Sequence, residues 1–489
     1  MSETSEPTFG PVERLAVWLL LGSSFVVILN ETVMGVALPV LMADLGISAA
    51  AGQWLTTAFL LTMSVVIPIT GMLIQRVRTR TLFAVAMSLF TLGTLLGALA
   101  PGFGVLLVAR VVQASGTAIM MPLLMTTVVT LVPERQRGAI MGRIAIVMSV
   151  APALGPTLSG IVLQSLSWRW LFIIMLPIAI VALIIGALRM PNVGISRKAP
   201  IDILSVILSA LAFGGLVYGL SAVGAAANGA EGLNPLIPVG VGVVALALFV
   251  WRQLSLQRED RALLDLRTFK SRPFALSVVL FVVSSMALFG SLILLPIYVQ
   301  NVLGFAPLET GLVMLPGGLV MGMLGPIVGR IVDTRGPRVA LVPGMIVTAG
   351  AMWAMGLFTD TTSIWTVLVV YLVLSIGLAG VFTPLFAVSL GSIPMQLASH
   401  GSAMISTLQQ VAGAAGTALF ITVMTLVSVS ASKQAGATAT SALAQGTQTA
   451  FVIGGAIATI GVVIACFVRP ATPSAAVATS TGNIPVSGE

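Results

Sequence analysis

Fourteen stretches of this chain are apolar enough, for long enough, to cross a lipid bilayer. They fall at about 15–38, 54–74, 82–100, 104–127, 141–163, 169–188, 203–223, 235–251, 273–299, 309–329, 338–358, 363–388, 402–427 and 449–468. A spanning helix needs roughly 20 largely apolar residues. Backbone groups in hydrocarbon must pair within their own segment, so such stretches fold as helices. The sequence therefore predicts an all-α integral membrane protein. Of its 489 residues 57% are hydrophobic and 8% charged, against about 25% charged in a soluble domain. That balance excludes a soluble enzyme, a nucleic-acid binder and a disordered protein. With single Cys466 and His400 residues, no disulfide framework and no Cys- or His-cluster metal site is expected. No GxxxxGK[ST], HExxH or GxSxG stretch occurs, so neither ATP-driven transport nor catalysis is expected, and no cofactor either.

Charge orients the spans. Fourteen crossings leave both termini on one side, and the loops on that side hold 20 of the 23 Lys and Arg residues. Arg169 and Lys433 lie opposite, and Arg110 lies inside a span. Basic loops stay in the cytoplasm, so the reading is a multi-pass protein of the cytoplasmic (inner) membrane with both termini cytoplasmic. The net charge of +8 is then topology rather than a sign of nucleic acid.

The chain repeats itself at an offset of 258 residues. Leu45-Gly46 matches Leu303-Gly304, Pro68 matches Pro326, Gly71 matches Gly329 and Arg80 matches Arg338. Each match falls around the second helix of a set of six. The expected organisation is a cytoplasmic tail over 1–14 and a six-helix bundle over 15–190. An inserted helix pair (191–252), a cytoplasmic linker (253–272) and a second six-helix bundle (273–468) follow, and then a disordered cytoplasmic tail (469–489). Parallel repeats of this kind build transporters whose substrate site lies between the halves.

Two charges sit where charge is expensive. Glu31 is the one acid deep in a span and Arg110 the one base, and a charge at a helix centre costs roughly 2.5–3.5 kcal/mol on insertion scales. Both fall seven residues from the outer end of their span, roughly 10 Å deep at 1.5 Å per residue. Either Glu31 carries a proton whose affinity Arg110 tunes, or the two form a static ion pair. Gln113 shares a helix face with Arg110, and Asn30 precedes the acid.

At these residues the sequence resembles the major facilitator superfamily, specifically its 14-helix drug:proton antiporter branch, over about residues 15–468. Leu29-Asn30-Glu31-Thr32-Val33 and Val36-Ala37-Leu38-Pro39 resemble that branch's first-helix signature, with the acid moved one residue, about 100° around the helix, as in lincosamide-resistance exporters. Arg110, Gln113 and Gly116 resemble the fourth-helix motif tied to proton coupling. Pro152, Gly155, Pro156 and Gly160 resemble the fifth-helix antiporter motif. Trp168 to Phe172, Pro200-Ile201-Asp202, Pro307 to Gly311 and Ser399 to Ala403 match further stretches of the branch. The loop after the second helix holds Gly71, Gln75, Arg76 and Arg80, without the family's usual acid. Its repeat keeps Gly329, Asp333, Gly336 and Arg338. In the family these loops latch helices, so the first latch here is expected to use hydrogen bonds from Gln75; simple anchoring by the arginines is the other reading. His400 reads as structural.

The resemblance implies a fold of two six-helix bundles plus an inserted pair. It implies secondary active export of drugs or antibiotics by proton antiport and alternating access, the proton gradient supplying the energy. A single deep carboxylate favours a cationic or neutral amphipathic substrate, with protons and lipid as the other partners, no nucleic acid, and a monomer. Export of an endogenous metabolite, or a membrane sensor that transports nothing, are the alternatives.

Overall fold

A computed structural model describes residues 10–47, 49–192, 202–227, 234–259, 261–433 and 438–468. Arg197, Lys198, Pro200, Ile201, Glu231, Asp260, Arg469 and the expected disordered tail lie outside the described residues. Among the described residues fourteen helices are long and apolar enough to span a membrane. They are α1 Pro11–Leu45, α2 Ala49–Arg76, α3 Thr79–Ala98, α4 Phe103–Leu131, α5 Glu134–Ser165, α6 Trp170–Arg189, α7 Ile203–Ala227, α8 Leu236–Leu256, α9 Arg272–Asn301, α10 Pro307–Arg335, α11 Arg338–Met355, α12 Ile364–Gly391, α13 Ala398–Ala431 and α14 Ala439–Phe467.

Several helices outrun the apolar stretches that announce them. α1 has 35 residues, α5 has 32 and α13 has 34. At 1.5 Å per residue these exceed the roughly 30 Å hydrocarbon layer by about 18–23 Å. Hydropathy marks only the part of a helix that needs lipid, while backbone hydrogen bonding carries it further into the polar interface. Two placements change as a result. Arg143, read as a loop residue, lies nine residues inside α5, and α8 continues to Leu256, past the expected end of the insert at 252.

Helix ends follow local chemistry. α1 stops at Gly46, whose φ of 60° is left-handed and whose N–H returns to the Met42 carbonyl. α10 opens on Pro307, with the exposed Glu309 carboxylate accepting the Ala306 N–H at 2.9 Å, and closes at Gly336, φ 83°. Glu309 thus caps the start of α10.

The repeat returns as matched contacts. Arg80, at the start of α3, donates to the Ala187 carbonyl in the last turn of α6. Arg338, its partner at the 258-residue offset, starts α11 and donates to the Cys466 carbonyl in the last turn of α14. Each arginine meets the negative end of a helix dipole and joins the third helix of its half to the sixth. These contacts share the end of the bundle where the arginines gather, here called the basic end. At the opposite end Asp44 on α1 accepts from Trp168 Nε1 at 2.7 Å and pairs with Arg169 at 3.6 Å, and Arg169 also reaches the Ala100 carbonyl after α3.

The inserted pair lies against both halves. α7 packs on α2 and on α13, and Trp54 of α2 stacks on Tyr218 with ring centroids 5.6 Å apart. α7 and α8 meet through glycines, a Cβ on Gly215 falling 3.0 Å from Gly242 Cα, the small-residue contact that membrane helices favour. Arg252 clasps Asp202 with two hydrogen bonds of 2.6 and 2.7 Å. That clasp, with further bonds from Ser205, holds the Asp202 carboxyl well below the usual carboxylate range.

Candidate functional site

Arg110 is buried on α4, 1% exposed, and its donors are spent on its own helix and on α1 and α2. Nη1 donates to Gln113 Oε1 at 2.7 Å and to Asn30 Oδ1 of α1 at 3.3 Å, and Nε to the Leu55 carbonyl of α2 at 3.5 Å. The Phe59 ring of α2 lies with its centroid 4.0 Å from the guanidinium carbon, a cation–π contact. Gln113 passes the chain on to Thr94 of α3 at 2.9 Å, and Thr94 to the Phe90 carbonyl at 2.7 Å. Four helices are thus tied around one charge. A Cβ on Gly116 or Gly93 would collide with the facing backbone of α3 or α4, so α3 and α4 must touch at these glycines for the chain to close.

Glu31 follows Asn30 on α1 and is half-buried. Its charge and that of Arg110 act on each other, yet no ion pair within 4.0 Å joins them among the described residues. The amide of Asn30 takes the direct contact instead. A carboxylate held near a fixed positive charge but not bonded to it can exchange a proton without first breaking a salt bridge.

The fifth helix reaches the same region. Gly155 is buried, and a Cβ built on it would run into the side chain of Thr32, the residue after Glu31. Thr32 Oγ1 donates back to the Leu29 carbonyl at 3.0 Å. Pro152 is half-buried on the same helix, the side chain of Pro156 lies outside the described ones, and a Cβ at Gly160 would meet nothing. Of the two motif glycines, Gly155 is therefore the one that makes a tight inter-helix contact.

At the basic end the two halves meet in a repeated pattern. Asp333, in the last turn of α10, accepts the backbone N–H groups of Gly138 at 2.9 Å and Ala139 at 3.1 Å on α5. Gln75 holds the matching position, 258 residues earlier, in the last turn of α2. Its Nε2 donates to Ser399 Oγ at 2.8 Å and to His400 Nε2 at 2.7 Å on α13. Each half's second helix thus grips the other half's fifth. Gly329 and Gly71, also matched, sit one turn earlier and let the backbones approach: a Cβ on Gly71 would fall 3.2 Å from the Ser399 carbonyl oxygen. On α5 and α10, Gly138 and Gly142 face Gly329 and Gly325, two small-residue pairs at four-residue spacing. His400 is buried, and its Nδ1 meets the Leu263 carbonyl at 3.1 Å, which also binds the linker to this contact. Arg76 ends α2 beside it.

Sequence reasoning missed Thr94, Phe59 and the Gly142/Gly325 contact, and it marked the stretch from Ser399 to Ala403 without its bonds across the halves, of which the Ser402 hydroxyl donates to the Pro122 carbonyl at 3.2 Å. The spacing of Gly138 and Gly142, and of Gly325 and Gly329, was a usable signal. A threonine in an apolar helix was not.

A family model, the Major Facilitator Superfamily, matches residues 20–417. The chain belongs to that superfamily. As a member it is a membrane transporter, and its relatives agree. It is 42% identical over 465 residues to the lincomycin resistance protein LmrB of Listeria innocua, covering 94% of this chain and 97% of that protein. It is 31% identical over 398 residues to a multidrug resistance protein B homolog of Mycobacterium tuberculosis, covering 81% and 73%. Among solved structures, the human organic anion transporter MFSD10 (TETRAN) matches in fold with a TM-score of 0.67 at 16% identity, over 93% of this chain and all of that one.

Proposed function

We propose that this transporter exports amphipathic drugs, lincosamide-type antibiotics among them, across the cytoplasmic membrane in exchange for protons. The observation that carries the reading is Glu31, half-buried beside a fully buried, hydrogen-bonded arginine and one residue from the α5 contact at Thr32. The names of the relatives support the drug class. The basic end faces the cytoplasm in this reading, which the placement of 20 of 23 basic residues supports.

The chemistry follows from the site. Glu31 binds a proton delivered from outside, which cancels its charge and leaves Arg110 held by Asn30, Gln113 and Phe59. The latches at Gln75 and Asp333 then part, and the halves rock about the close packing of α5. Once the site faces the cytoplasm, proton release restores the carboxylate, and a cationic or neutral drug takes its place. The drug leaves when the basic end closes again. Both charges thus stay within the polar cluster throughout, and neither crosses hydrocarbon alone.

Labelled lincomycin and inside-out vesicles test this. Uptake should require an inward-acidic pH gradient and collapse when a protonophore is added. Uptake that survives the protonophore, or none in vesicles containing the protein, would contradict the proposal.

A further inference from the structure

Arg143 sits in an unusual place for an arginine. It lies nine residues along α5 from Glu134, about 13 Å at 1.5 Å per residue, level with the approach to hydrocarbon. Other arginines of the basic end reach oxygen: Arg80 and Arg338 on helix-end carbonyls, Arg137 on the Val129 and Val132 carbonyls, Arg252 and Arg267 on aspartates. Arg143 makes no hydrogen bond or ion pair among the described residues. Its guanidinium carbon instead lies 5.2 Å from the centroid of the Trp18 ring on α1. Trp18 is 56% exposed, at a level where tryptophans mark the membrane interface.

Between these helices is a cavity of about 310 Å³, lined by Arg14, Val17, Trp18, Gln136, Ile140 and Arg143 among others. Its polar lining supplies donors: two guanidinium groups, an amide and an indole N–H. Glu13, the acid of that turn of α1, folds back over Gly10 at the helix start. Val17 and Ile140 offer an apolar floor. Guanidinium groups suit phosphate oxygens in a bidentate geometry, and basic pockets between membrane helices at this level suit anionic lipid headgroups.

We propose that the cavity between α1 and α5 holds the phosphate of an anionic phospholipid, with Arg143 and Arg14 as its ligands and Trp18 against the glycerol region. The lipid, rather than soluble phosphate, fits a cavity flanked by the exposed apolar side chains of Trp18 and Val12. A headgroup there would pin the basic ends of the helix that carries Glu31 and the helix that carries Gly155.

Quenching of Trp18 by brominated lipid tests the proposal in the full-length protein. The Trp18→Phe variant supplies the background from the other six of the seven tryptophans. In mixed bilayers dibrominated phosphatidylglycerol should quench Trp18 well beyond dibrominated phosphatidylcholine. Arg143→Gln should reduce that preference roughly fivefold, the weight of one basic residue near an anionic surface. Arg143→Lys should keep most of it and guards against a folding defect, and Arg189→Gln, an exposed arginine elsewhere at this end, should leave it unchanged. Equal quenching by the two lipids, or a preference that survives Arg143→Gln, would overturn the proposal. Loss of the preference in millimolar inorganic phosphate at constant ionic strength would assign the cavity to a soluble anion and overturn it equally.

Discussion

Arg110 holds together a cluster that no neighbour could hold in its place. Its planar fork reaches Gln113 and Asn30 from one nitrogen and the Leu55 carbonyl from another. Arg110→Ala would strand two buried amides, at about 1–3 kcal/mol for each unsatisfied group, and remove the charge that acts on Glu31. Drug efflux from cells should fall to the level of an empty vector while the protein still reaches the membrane; wild-type efflux would show the arginine to be structural. Arg110→Lys should rescue little, because a point charge cannot serve both amides. The sequence made Arg110, Gln113 and Glu31 legible, since each breaks an apolar helix. It could not reveal that Asn30 takes the direct bond, because one step along a helix turns a side chain by about 100° and only the packed neighbours decide which residue faces inward.

Helices carry the next level of constraint. Gly155→Leu would drive a branched side chain into Thr32 and push Glu31 out of register, so transport should be abolished while expression survives on an apolar span. Measured efflux near wild type would mean that the motif merely fills space. Over-packing of this kind typically costs 1–3 kcal/mol. In the inserted pair, the depressed Asp202 carboxyl implies a pH dependence with a definite sign. The folded value lies below the unfolded one, about 3.9. The clasp with Arg252 therefore contributes fully above about pH 4 and fades as pH falls below that. Asp202→Asn should lower the thermal transition of the solubilised protein at neutral pH by on the order of 1 kcal/mol of stability, for a partly exposed pair, and by progressively less in acid. An equal loss at all pH values would contradict the assignment. The existence and order of these helices were legible from hydropathy; the ends of α1, α5 and α13 were not, because polar interface tolerates helix that hydropathy does not register.

At the scale of the molecule, two latches related by the internal repeat hold the basic end, one from Asp333 to backbone amides of α5 and one from Gln75 to Ser399 and His400 of α13. The repeat itself was readable from Pro68, Gly71 and Arg80 and their counterparts. Its consequence, that each half grips the other's fifth helix, was not, since contacts between halves leave no trace in the spacing within one. Breaking both latches, with Gln75→Ala and Asp333→Asn together, should separate the basic ends of α2 and α13. Spin labels there, read by pulsed dipolar spectroscopy, should show a longer distance in the double variant than in wild type. An unchanged distribution would locate the closing contacts elsewhere, at the crossing of α5 and α10 where Gly142 meets Gly325. In the proposed cycle, proton movement through Glu31 drives export. The direct measurement is the pH change inside proteoliposomes when drug is added, for wild type and for Glu31→Gln, which keeps the size and hydrogen bonding of the side chain but cannot titrate. Wild type should show a drug-dependent proton flux and Glu31→Gln none, even where the variant still binds drug; a full flux through Glu31→Gln would rule out Glu31 as the carrier.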